Sequence, residues 1–438
     1  MSRHIWSRLG AIAAVAAGGG LLAVVSAPAR EVAQPRDVDV DPPAPVVLCP
    51  GEQSVPVGDV GSGGDLGSVP TVRALHVYSP GQTHAAAAGT VADAALGSQV
   101  ERIGDGDIAG WSALSCSEPT TDQWLVGGAT TLGSSARLVL TNASPAPSEA
   151  TVTLYGPLGE VEDTLVIPVA ALSQADHLLE SFATAQSSLV VHVQATAGGV
   201  SAALQDSRLI GFQPAGTSWV GPSQALTDQV IAGVGFDSAG GSVTVRLMAP
   251  QGATVKLTVV SERGVEQWST GTGISLDPGV VTDVAVPVSR LGAIEVNADA
   301  EVFASARTVM TRAATTGVDA DTAADATWVS GMAVRDEPLA VVTPVDQARL
   351  AVYSPYATTV VATDENGVSV GYVSVPARTI QWLDVDAPAG TVVTITGQVA
   401  WSVVMVSPDG FVASLMPSLP QRDTLHARVL ASPYPAGS

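Results

Sequence analysis

Two cysteines, six histidines and a single lysine are this chain's stock of thiol, imidazole and amine groups. Their spacing gives them little chemistry to do. Cys49 and Cys116 have no CxxC partner and no nearby histidine, so a zinc site or a thiol nucleophile is not indicated. His4, His76, His84, His177, His192 and His426 are scattered without metal-ligand spacing. Lys256 lies in an alternating apolar run, which reads as strand rather than as a Schiff-base site. One GxSxG string occurs, Gly367-Val-Ser369-Val-Gly371. A nucleophile elbow needs a strand before the serine and a helix after it. Here a turn precedes Ser369 and a strand-like run, Tyr372 to Val375, follows. Asp237-Ser-Ala239 lacks the glycine of an aspartic-protease loop.

The remaining polar groups read as turns. Asp105-Gly-Asp107, Asp319-Ala-Asp321 with Asp325, and Asp364-Glu-Asn366 are acidic enough to interest calcium, but none follows the spacing of a calcium loop. Asp, Asn and Gly build turns in any case. Asn142-Ala-Ser144 fits a glycosylation sequon and is followed by Pro145, so it too reads as a turn. With 41 acidic residues, nothing selects a pair for glycoside hydrolysis. There is no phosphate loop and no HExxH. The composition predicts no catalytic residue, no bound metal and no cofactor.

The elements that hold these residues repeat. Arg137-Leu-Val-Leu-Thr-Asn-Ala-Ser-Pro145, Val245-Arg-Leu-Met-Ala-Pro250 and Arg349-Leu-Ala-Val-Tyr-Ser-Pro355 are apolar runs stopped by prolines 105 residues apart. Each is followed by a β-branched run and a hairpin glycine, at Gly159, Gly264 and Gly367. A proline mark comes next, at Pro168, Pro287 and Pro376, which suits a strand end or edge. A tryptophan run, at Trp124, Trp219 and Trp328, reads as the opening strand of each unit, with the indole in the core rather than in a ligand-stacking row. About seven short strands per unit predict an all-β chain of tandem β-sandwich modules of immunoglobulin or fibronectin type. The alternative is a propeller-like array, with two blades per unit. Residues 85–96 have the composition of a short helix.

The expected organisation is as follows. Residues 1–30 form an N-terminal signal peptide or anchor helix, with Arg3, His4 and Arg8 before an apolar run, whether cleaved or retained. Residues 31–45 form a Pro- and acid-rich linker. A degenerate β-unit spans 46–120, and modules span 121–215, 216–325 and 326–420, with a tail at 421–438. Export implies that Cys49 and Cys116 pair as a disulfide closing the degenerate unit, two unpaired buried thiols being the alternative. A formal charge of −22 excludes nucleic acid and anionic lipid surfaces as partners, leaving membrane contact to the N-terminal segment.

Cys49-Pro, Trp124, the Leu189-Val-Val-His-Val run, and Ala202-Ala-Leu-Gln-Asp-Ser-Arg208 leading through Gly211-Phe-Gln-Pro to Trp219 carry a resemblance. The chain resembles an actinobacterial family of envelope proteins known only as a domain of unknown function, number 5719. That resemblance implies a secreted or membrane-anchored envelope protein and supplies no activity. The expected function is non-catalytic: an exported cell-envelope scaffold, or a binding module for an envelope protein or glycan. The alternative is a cell-wall polymer hydrolase using paired carboxylates.

Overall fold

The computed structural model describes residues 35–40, 46–54, 72–79, 82–85, 92–93, 95–418 and 425–430, apart from 105, 197, 212, 236–240, 269–270, 289 and 314–321. The expected N-terminal helix and most of the linker lie outside these residues, as do most of residues 85–96. Within that last stretch, Ala92–Asp93 is extended and pairs with Val46–Val47. The chain divides into two compact units. In the smaller, Pro35–Val40 pairs antiparallel with Leu425–Leu430. The larger comprises residues 44–421 and contains all that follows.

The described chain is all-β apart from short 3-10 turns such as Leu179–Ser181. Three regions each form a two-layered, sandwich-like body. In the first, Asp122–Val126, Val190–Ala195 and Ser148–Gly156 face a second layer built on Ser134–Asn142 and Ser201–Ile210. Leu138, Leu140, Val152, Leu154, Val191 and Val193 meet between them, all buried. They sit at alternate positions because strand side chains alternate faces. In the second, the 22-residue strand Gly292–Ala313 serves both layers. Its first part pairs with Ala253–Ser261 and its second with Ser242–Met248. In the third, two four-stranded sheets enclose Leu350, Val352, Val360, Val393 and Trp401.

The marks shared between units take their expected places. Gly159, Gly264 and Gly367 all have positive φ, the left-handed region that a hairpin turn demands. Pro168 lies in a strand that pairs only with Ser148–Gly156, so its missing N–H costs no ladder bond. The tryptophan strands differ from expectation. Gln213–Val220 pairs with Ser201–Ile210, and Thr322–Ser330 pairs with Gly292–Ala313. Each therefore closes the body before it rather than opening the next, because its nearest antiparallel neighbour is the strand just left.

The leading unit is a single four-stranded sheet in which Leu96–Ile103 pairs with Val72–Ser79 and Gly110–Ser115. Beside it the short pair Val46–Val47 and Ala92–Asp93 contributes Val47 to a cluster with Leu75 and Val77. Val100 and Ala113 join the apolar core of the third body. Its own small cluster contains Cys49 and Cys116, which are joined in a disulfide.

The four units close into a ring. Gly110–Ser115 lies against Gln213–Val220, which lies against Thr322–Ser330. That strand lies against Val412–Leu415, which returns to Gly110–Ser115. Apolar clusters fill the junctions, with Leu114 against Trp219, Val126 against Phe303, Ala232 against Tyr353 and Leu96 against Val342. The inner strands thus surround an axis as a propeller's do, although the three bodies are two-layered rather than single blades.

Candidate functional site

Leu114, Trp219, Trp328 and Leu415 occupy matching positions near the ends of the four inner strands, and all four line one cavity of about 330 Å³. Because the cavity gathers the C-terminal ends of all four strands, those strands run in the same direction around the axis. Ser115, Ser117, Glu118 and Ser330 share its lining with these apolar residues. Cys116 also lines it, so the disulfide anchors one wall.

A second concavity of about 530 Å³ opens beside the first and shares Ser117, Glu118 and Pro222 with it. Asp122, Gln123, Trp124, Gln224 and Phe303 line this shelf. Trp124 stacks on His192 at 3.8 Å and on Phe303 at 4.5 Å between ring centroids. Those neighbours occupy its faces, so it offers the shelf little stacking surface. His192 Nε2 lies 3.0 Å from Asp122 Oδ2. Asp122 and Glu118 make the shelf acidic.

Three residues back along the inner strands, about 10 Å at strand rise, the matching positions are Trp111, Gly216, Asp325 and Val412. Asp325 is 0% exposed. Its Oδ2 accepts from the backbone N–H of Trp111 at 3.0 Å and of Val412 at 2.9 Å, and its Oδ1 from Ala326 N–H at 2.9 Å. One carboxyl thus ties three units together. Gly110 leaves room for it, since a Cβ there would sit 2.9 Å from Asp325 Oδ1, and Gly216, with φ +99°, lets the two strands approach, since a Cβ there would sit 2.4 Å from Ala326 N. Burial pushes the Asp325 carboxyl up to about 7, against the opposing effect of its three N–H donors and Arg312.

A second buried network joins the first and second bodies. Asp206 accepts from Trp328 Nε1 at 2.8 Å and from Arg208 Nε at 3.2 Å, with Arg307 at 3.7 Å. Burial raises its carboxyl, but Arg208, Arg307 and Trp328 outweigh that and hold it below the ordinary range. Burial and the neighbouring Arg208 lower the Arg307 guanidinium to about 10.

The arginines of the repeat carry a signal that sequence reading passed over. Arg137, Arg246 and Arg349 each pair with an acid farther along, at Asp176, Asp283 and Asp384. Sequence separations of 39, 37 and 35 residues mark the device. Arg246 also donates to the carbonyls of Gly128 and Leu189, crossing from the second body to the first.

The other sequence candidates are dispersed. Ser369 is exposed at the start of a strand, with no helix after it. Lys256 is exposed on a strand. Asp364 Oδ1 accepts from the N–H groups of Asn366 and Val368, a turn-forming role. Asn142 is buried, and its amide donates to the carbonyls of Ala146, Val169 and Ala170. Asp105, Asp237, Asp319 and Asp321 lie outside the described residues. Among the described residues no three His, Cys, Asp or Glu side chains gather as a metal-ligand set.

A family model described as "Family of unknown function (DUF5719)" matches residues 71–391. No curated protein and no solved structure matches the chain.

Proposed function

The chain belongs to the DUF5719 family, and from that premise we propose that it is a non-catalytic, exported cell-envelope protein whose ring serves as a scaffold and binding module. The observation that carries this is the continuous concave face made by the axial cavity and the acidic shelf, to which all four units contribute. A rigid ring that places loops and strand ends from every unit around one opening is suited to holding a partner. The disulfide fits an oxidising compartment. The negative charge favours an envelope protein or a glycan over anionic polymers and lipids.

The test is capture of components from an envelope extract and from purified cell-wall polymer by the immobilised full-length chain. Saturable retention of one component, weakened by Glu118→Gln with Gln224→Ala, is the expected result. Background recovery alone from both sources would reject the binding reading. The alternative, a polymer hydrolase, has Glu118 and Asp122 on the shelf as its candidate carboxylates. Release of soluble fragments that is lost in Asp122→Asn would replace binding with hydrolysis.

A further inference from the structure

The chain that follows Val46–Val47 crosses the junction between the leading sheet and the first body. Leu48 exchanges both of its backbone bonds with Ser117, and Cys49 is cross-linked to Cys116. Gly97 makes room for the bridge, since a Cβ there would sit 2.7 Å from Cys116 Sγ. Past the cross-link the chain is irregular, and side chains from both sides hold its backbone. From the leading sheet, Gln99 Nε2 donates to the Gly51 carbonyl at 2.8 Å, and Glu101 Oε2 accepts from Gln53 N–H at 3.1 Å. From the first body, Arg137 Nη1 donates to the Glu52 carbonyl at 3.0 Å. Gln205 takes both the N–H and the carbonyl of Ser54, at 3.1 and 2.9 Å. Residues 48–54 are thus a clasp with one arm on each unit.

The clasp has little of its own to hold it. Val47 and Cys49 join only a small apolar cluster with Leu75, Val77 and Cys116. Side-chain bonds to backbone add little net stability, because the open chain makes them to water, and the entropy of ordering the segment opposes them. A cross-link removes part of that opposing entropy by confining the open chain. Val47, Cys116 and Ser117 also line the axial cavity, so the closed clasp supports that wall.

We propose that the Cys49–Cys116 pair is a redox latch: the disulfide closes residues 48–54 as a clasp between the leading sheet and the first body, completing a wall of the axial cavity, and the dithiol form leaves the clasp open. Closing moves two electrons and two protons from the two thiols to a disulfide-bearing oxidant, through a mixed disulfide, and the oxidant leaves as a dithiol. The coupling is reciprocal, so the clasp that the bridge holds also shields the bridge. Cys49 is 3% and Cys116 4% exposed, so an attacking thiolate reaches the sulfurs only while the clasp is open. The latch stands apart from the binding reading, because it operates whether or not a partner binds.

The test uses the full-length chain and two readouts. In the first, amide hydrogen exchange is followed in the oxidised chain and in Cys49→Ser with Cys116→Ser. The amides of Gly51, Gln53 and Ser54 should be protected in the oxidised chain and exchange near the open-chain rate in the double variant. Those of Leu138, Val139 and Leu140, inside the first body, should stay protected in both. In the second, the oxidised chain is treated with dithiothreitol and the freed thiols are trapped by alkylation and counted by mass. Gln99→Leu removes one bond to the clasp without touching either cysteine, and should speed reduction about fivefold, the effect of one neutral hydrogen bond. The second readout needs no cysteine variant, so it decides the matter if the double variant fails to fold. Protection of Gly51, Gln53 and Ser54 that survives loss of the bridge overturns the latch. So does a reduction rate in Gln99→Leu equal to that of the parent chain.

Discussion

Replacing Asp325 with asparagine should remove that group's pH dependence from the stability of the ring, so that the gap between the two chains closes or inverts as pH rises. The folded carboxyl titrates at about 7, against an ordinary value of 3.8. An acid whose folded value is raised contributes stability that is fully present below 3.8 and is lost as pH rises towards 7. Each pH unit in that window removes about 1.36 kcal/mol, so the wild type loses about 4 kcal/mol in all, and roughly 2.7 kcal/mol of it between pH 5 and 7. In Asp325→Asn the amide oxygen can still accept from Trp111 and Val412, which converge on one oxygen in the wild type. The amide nitrogen then faces the Ala326 N–H, donor against donor, at a cost of about 1–3 kcal/mol. At pH 5 the variant should be the less stable by about that amount. At pH 8 the wild type carries the buried charge, and the variant should equal or exceed it. Urea unfolding of both chains at pH 5 and 8, read as midpoints at constant slope, measures the difference. Equal gaps at the two pH values would refute the reasoning, because they would mean that Asp325 does not change its protonation between them.

The repeat arginines give a matched comparison. Arg246→Met should cost about 3–5 kcal/mol in urea unfolding, since its side chain is 1% exposed and it spans two bodies. Arg349→Met, at the same repeat position but 49% exposed, should cost under about 1 kcal/mol. Asp206→Asn should lower stability at pH 7 and reduce the loss on acidification. The wild-type carboxyl sits below its ordinary value, so its contribution is present above about pH 4 and is lost as pH falls through its folded value. Cys49→Ser with Cys116→Ser opens a cross-link spanning 67 residues and should cost about 4 kcal/mol in the chain-entropy model. Thermal unfolding with and without reductant checks it, and reductant should leave the double variant unchanged.

Local rules made much of the fold legible. Alternation in Ala150-Thr-Val-Thr-Leu-Tyr155 specified a strand with one buried face, and the pattern there is buried at every second residue. Gly159, Gly264 and Gly367 marked hairpins because only a residue without Cβ takes their φ freely. Which neighbour a strand joins was less visible. Trp219 and Trp328 looked like openings because they follow loops, but pairing depends on where the preceding strand lies in space. Trp124 shares their residue type and not their place: it stacks on His192 and Phe303 at a junction between bodies. The candidate site was illegible for a related reason. Trp219 and Trp328 were visible as a repeat mark, but Leu114 and Leu415 belong to no pattern that ties them to those tryptophans, and the four stand in four units.

The sequence alone determined the class and its period: strands from alternation, turns from glycine and proline, and a repeat from prolines 105 residues apart. These are short-range consequences of backbone sterics and side-chain direction. Only the tertiary structure decided that the four units close on one another, that the leading sheet borrows the third body's core, and that one aspartate ties three units together. Closure depends on apolar faces meeting across more than three hundred residues of chain. That is an energy of contact between distant surfaces, and no window of sequence contains it.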